Sequence, residues 1–342
     1  MAFTNVEYVT TVPVDGGGAQ VARVHGDYLY LASWRGWSIY DVSDPLAPAL
    51  VSTTPAGFTF PNESLDTNGD VVILKEEIPV ERLLVYDVTD KANPALIAGL
   101  PNVPDHTIEC LFDCKWAYGS DGTIYDLREP AQPKVAGSWD DGSLVYGHTV
   151  AEVAPGLALT TSLPTLRLLD ARKDPTKPRQ LAMAASPSSL TQGVSRWPGG
   201  GRDRFLLSAE ESSFTARCDA ESSVFRTYDA SKWKRTHSFT VVDELRMDNG
   251  TVQDGRAPAG VLGCSTHGFA EHPAFKDGGI VALAHYENGL RFLEIDGRGK
   301  IAEVGYFLPY GGETSGTLWM TDEIVYTFDV VRGIDILRFT GE

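Results

Sequence analysis

The chain has 342 residues, 42% of them hydrophobic, and its 46 acidic against 29 basic residues leave a formal net charge of −17. That apolar content excludes a disordered chain and can fill one large core or two ordinary ones. The acidic balance argues against nucleic acid and anionic membranes as partners, and no apolar window approaches the 18 residues that mark a membrane span.

The first residues, Met-Ala-Phe-Thr-Asn-Val-Glu, show neither a basic n-region nor an apolar h-region. They point to a cytoplasmic protein, or to a secreted one if a leader has been removed and the cysteines are paired. The stretch from Asn5 to Val12 then reads as a lone strand. From Asp27 onward a unit begins: the β-rich run Asp27-Tyr-Leu-Tyr-Leu-Ala-Ser, a Gly36 turn, a strand ending in Tyr40-Asp41, the turn Val42-Ser43-Asp44-Pro45, and an apolar strand after Pro48. The phrase returns as Tyr86-Asp87-Val88-Thr89-Asp90 with Pro94, and as Tyr125-Asp126-Leu127-Arg128-Glu129-Pro130. Looser copies place the acidic residue at Asp170, Asp229, Glu294 and Asp335, giving seven units. No window carries helical periodicity.

Short strands bounded by Gly, Pro and Asp, four to a unit and repeated about every 40 to 50 residues, are the pattern of propeller blades. The expectation is an all-β, seven-bladed β-propeller over 1–342 with four-stranded blades, the stretch from Asn5 to Val12 closing the last blade. Region 211–263, between the fifth and sixth units, carries long loops. A β-solenoid or a pair of β-sandwiches are the alternatives. The units resemble the LVIVD repeat, a bacterial propeller repeat with an apolar strand, Asp, a Val-Ser/Thr-Asp-Pro turn and a second Pro. Residues 38–45 and 84–90 match this signature closely, and the later units depart from it. The resemblance implies the fold and says little of activity, since sites are grafted onto folds.

The phrase that opens each innermost strand can also be aligned. Its second residue is Gln20, Glu63, His106, His148, Gln192, His267 and Ser315, at spacings of 43, 43, 42, 44, 75 and 48. These positions are expected to form one polar ring at a mouth of the central channel, and three of the seven histidines fall on it. Residues at the ends of the second strands should stand nearby: His285 and Asp329, with Glu76 and Glu210, and with Trp34, Arg35 and Tyr286 at the rim. Water-lined channels also need polar residues without any chemistry, and Gln20, Gln192 and Ser315 fit that role.

Imidazoles with carboxylates on rigid strands suit acid–base work, with His106, His148, His267, His285, Glu63 and Asp329 as catalytic candidates. Gln20, Trp34, Arg35, Glu76, Gln192, Glu210 and Tyr286 are candidates for holding a substrate. His106, His148 and His267 could instead bind a divalent transition metal (Zn²⁺, Fe²⁺, Mn²⁺ or Cu²⁺), although no paired local spacing marks such a site. Neither a GxSxG elbow nor a Walker sequence is present. The expected function is that of an enzyme of lyase, cyclase or isomerase type on a small molecule, acting as a monomer. A propeller binding module for protein or glycan, and a copper- or iron-dependent oxidoreductase, remain the alternatives. Cys110 with Cys114, and Cys218 with Cys264, are the disulfide candidates; four reduced thiols in a cytosolic protein are the other reading.

Overall fold

Runs rich in β-branched and aromatic residues between Gly and Asp turns favour extended backbone, and in the computed structural model they become strands. The structure describes residues 1–14, 17–57, 64–144, 146–163, 165–185, 190–194, 204–211, 224–246 and 265–341. Glu63, Cys218, Cys264 and nearly all of the 211–263 loops fall outside the described residues. Among those described, the single helix is the four-residue Trp233–Thr236.

The strands form seven antiparallel sheets. The first blade comprises Ala19–His25, Tyr28–Ser33, Gly36–Asp41 and Ala49–Pro55, paired in chain order. Five further blades follow the same order, with innermost strands Leu65–Thr67, Ile108–Leu111, Tyr146–Ala154, Leu190–Val194 and Phe269–Glu271. The seventh has three strands of its own, Thr314–Trp319, Ile324–Asp329 and Gly333–Phe339, and takes Val6–Val12 as its outer strand, with Val6 opposite Phe339 and Val12 opposite Ile334. The chain start does more than the sequence suggested. Ala2–Thr4 adds a fifth strand to the sixth blade, pairing with Ile301–Leu308, and Asn5 at φ 55° turns the chain from one blade to the next.

Seven apolar clusters fill the seven gaps between neighbouring blades. Leu29, Leu31 and Tyr40 meet Tyr326, Phe328 and Ile336 between the first blade and the last, and Leu207 and Phe225 meet Val281 and Leu293 between the fifth and sixth. The remaining gaps are packed likewise. Each sheet therefore buries both faces, and the ring closes.

The repeat aspartates end the third strands as turn-formers. Asp41, Asp87, Asp126, Asp170 and Asp229 each accept the backbone N–H two residues on, at 2.8–3.1 Å. The later units need correction. In the sixth blade this role belongs to Asp296, which accepts from the N–H of Arg298 and Lys300, and not to Glu294. In the seventh, Asp335 lies within its strand, opposite Thr11 and Thr327, and pairs with Arg332. The degraded phrase in those units hid the shift.

Candidate functional site

Strand pairing fixes which residues share the mouth. Thr191 is opposite Glu210, Thr314 is opposite Asp329, and the N–H of His267 donates to the carbonyl of Ala284, so second-strand ends return to the level where the innermost strands begin. Hydroxyls stitch this level from blade to blade. Thr107 Oγ1 donates to the carbonyl of His148, and Ser315 Oγ donates to the carbonyl of Gln20 at 2.7 Å. Ser64 Oγ accepts from the N–H of Ile108 at 2.9 Å.

Two groups of side chains stand at this level. The first spans the second, third and fourth blades. The Ser120 hydroxyl accepts the N–H groups of both His106 and Thr107, fixing the backbone before Ile108. From there the His106 ring stands 4.9 Å from that of His148, centroid to centroid, with the planes at 65°. His106 Nδ1 lies 3.0 Å from Glu77 Oε1. A carboxylate only accepts, so Nδ1 carries the proton and Nε2 keeps its lone pair when the ring is neutral. His148 Nδ1 is 3.2 Å from Thr149 Oγ1, and the Tyr146 ring lies 6.2 Å from that of His148.

Around this pair stand buried Lys75 and Asp105 and half-buried Glu77 and Asp121. Lys75 is buried, which lowers its ammonium value, while Glu77, Glu81, Asp105 and Asp121 oppose that shift. Burial raises Asp121, which accepts the N–H of Gly147 beside His148. Burial also raises Asp105, against the opposing hydrogen bond from Tyr125. Glu77, Lys75, Asp105, Asp121 and Tyr146 were not found from the sequence. Glu77 and Lys75 flank Glu76, the residue chosen there, and strand alternation alone would have turned attention to them.

The second group spans the sixth, seventh and first blades. The His267 ring is 4.8 Å from that of Tyr286, and His267 Nδ1–H donates to the carbonyl of Ser315. Tyr286 bridges to Thr314 and packs with Val330 and Trp34, whose indole N–H donates to the carbonyl of Val330 at 3.0 Å. Gln20 is buried, and its carboxamide has no hydrogen-bond partner among the described residues. Asp329 accepts the N–H groups of Val331 and Arg332, yet burial pushes its carboxyl up to about 6. Burial, with the nearby charge of Arg291, pushes His285 down to about 3, which favours the neutral imidazole.

The family model of the LVIVD repeat matches residues 16–54, which take in nearly all of the first blade, from Ala19 to Pro55. The chain is a seven-bladed β-propeller that carries an LVIVD repeat. Among solved structures, YCF48 from Cyanidioschyzon merolae is similar at 12% identity, with a TM-score of 0.59 and 98% of each chain covered, a likeness of fold alone. No curated protein matches the sequence.

Of the remaining candidates in this propeller, Glu76 and Glu210 make ion pairs within the blades. Glu76 is buried, pairs with Arg82 and accepts the N–H of Gly57 at 2.6 Å. Glu210 pairs with Arg226, which also reaches Glu244 at 2.7 Å. Arg35 is exposed at the rim, and Gln192 lies on the strand Leu190–Val194. Cys110 and Cys114 are joined by a disulfide. Among the described residues no three His, Cys, Asp or Glu side chains are grouped to hold one metal ion. His106 and His148 form a pair, and His267 sits with Tyr286.

Proposed function

We propose that the LVIVD-repeat propeller acts on a small polar organic molecule at the mouth bearing His106 and His148, by proton transfer of the lyase, cyclase or isomerase type. The observation that carries this reading is the Glu77–His106–His148 grouping: two imidazoles with rings 4.9 Å apart, one oriented by a carboxylate. An imidazole oriented through Nδ1 by a carboxylate is a candidate base, and a second imidazole beside it can return the proton as an acid. Buried Lys75 and half-buried Asp121 would supply charge for binding in a low-dielectric setting.

Incubating the protein with a mixture of small metabolites, and following depletion by mass spectrometry, tests the reading. The expected result is that the wild type consumes at least one compound while His106→Gln and His148→Gln consume it at least about 100-fold more slowly, with unchanged circular dichroism. Equal consumption by both folded variants contradicts it.

A further inference from the structure

A different feature lies at the far end of the Ile108–Leu111 strand, away from His106. Corresponding inner hairpins turn on a left-handed glycine: Gly26 (φ 57°) in the first blade, Gly69 (φ 91°) in the second and Gly156 (φ 72°) in the fourth. The third blade has no glycine in its turn. It places three consecutive non-glycine residues in the left-handed region, Phe112 (φ 53°), Asp113 (φ 60°) and Cys114 (φ 54°), between the paired residues Leu111 and Trp116. Side chains with a Cβ pay a steric penalty there, mildest for Asp, and such a run persists only where its surroundings enforce it. The Cys110–Cys114 disulfide spans the run.

We propose that Cys110–Cys114 is a reversible thiol–disulfide exchange site, opened by dithiols while the propeller stays folded. Cys110 is half-buried and Cys114 is buried, so the incoming thiolate attacks Cys110 Sγ. The S–S bond breaks, Cys114 leaves as a thiolate that takes a proton from water, and a mixed disulfide forms on Cys110. The second thiolate of the reagent then attacks the reagent's own sulfur in that mixed disulfide. Cys110 leaves as a thiolate that takes a proton from water, and the reagent departs as a cyclic disulfide, with two electrons passed to the protein. Opening the ring lets the left-handed run relax, which favours the reduced form. The change would be felt by neighbours on both sides. Asn68 Nδ2 donates to the carbonyl of Asp113 at 3.1 Å, the N–H of Phe112 donates to Glu152 at 3.1 Å, and the N–H of Cys110 donates to Asp66 at 2.7 Å.

The test equilibrates the intact protein in reduced and oxidised dithiothreitol, alkylates, and measures the peptide carrying Cys110 and Cys114 while circular dichroism reports the fold. The expected result is reversible reduction with the dichroism unchanged. Asp113→Gly, which removes one left-handed non-glycine residue, should shift the equilibrium toward the disulfide by about threefold. Reduction only as the dichroism is lost makes the bond a structural staple and overturns the proposal. An unchanged equilibrium in Asp113→Gly overturns it too.

Discussion

Asp329 shows how a single residue at the mouth ties stability to pH. Its folded-state value of about 6 lies above the ordinary carboxylate value of roughly 3.9. Its contribution to stability is therefore fully present below about pH 4 and is lost as pH rises through about 6. Asp329→Asn keeps the oxygen that accepts the N–H groups of Val331 and Arg332 and removes the buried charge. The variant should be more stable than the wild type at pH 7.5, by on the order of 1–3 kcal/mol. Chemical denaturation at pH 4 and 7.5 checks this: the gap should close at pH 4, and a pH-independent gap contradicts it. A second residue-scale expectation concerns the hydroxyl stitches. Thr107→Val removes the donor to the His148 carbonyl and should cost about 1 kcal/mol or somewhat more, since a buried acceptor loses its partner.

At the scale of elements, the account turns on the chain start. Val6–Val12 supplies the outer strand of the seventh blade and Ala2–Thr4 an edge of the sixth, so a variant lacking residues 1–12 exposes two sheet edges. It should melt at a lower temperature and associate, which calorimetry and light scattering would register; wild-type melting without association contradicts the closure argument. The repeat turns give a further expectation. Hydrogen bonds from Arg128 hold Asp126, and those from Arg172 hold Asp170, at about 2; backbone donation from Lys300, with Arg298, holds Asp296 there also. For such depressed carboxyls, stability is present above the unfolded value near 3.9 and is lost as pH falls toward 2. Replacing the three with Asn should flatten the acid limb of an unfolding curve between about pH 4 and 2.

For the whole molecule, the repeat made the architecture legible because blade geometry is local: strand, Gly turn, strand, Asp turn. The phrase Tyr-Asp-Val-Ser/Thr-Asp and its looser copies located five third-strand ends to the residue. It failed at Glu294 and Asp335, where the turn-forming oxygen had moved along the chain or been replaced by an ion pair. The site was legible in part. Alignment placed His106 and His148 at the same level of adjacent blades, and the structure brings their rings together. Their partner Glu77 was missed because it follows Glu76 directly, and only the three-dimensional structure tells which of two adjacent carboxylates is claimed by Arg82. His285 was legible in position but not in character. Its neutrality comes from burial beside Arg291, which no count of spacings reveals.

The most direct measurement of proton transfer at this mouth is solvent isotope incorporation. A mixture of small polar metabolites incubated with the protein in D₂O should yield at least one compound that gains deuterium at carbon, with the gain abolished in the folded His106→Gln/His148→Gln variant. Incorporation that persists in that variant, or none with the wild type, would contradict the assignment of acid–base chemistry to the Glu77–His106–His148 group.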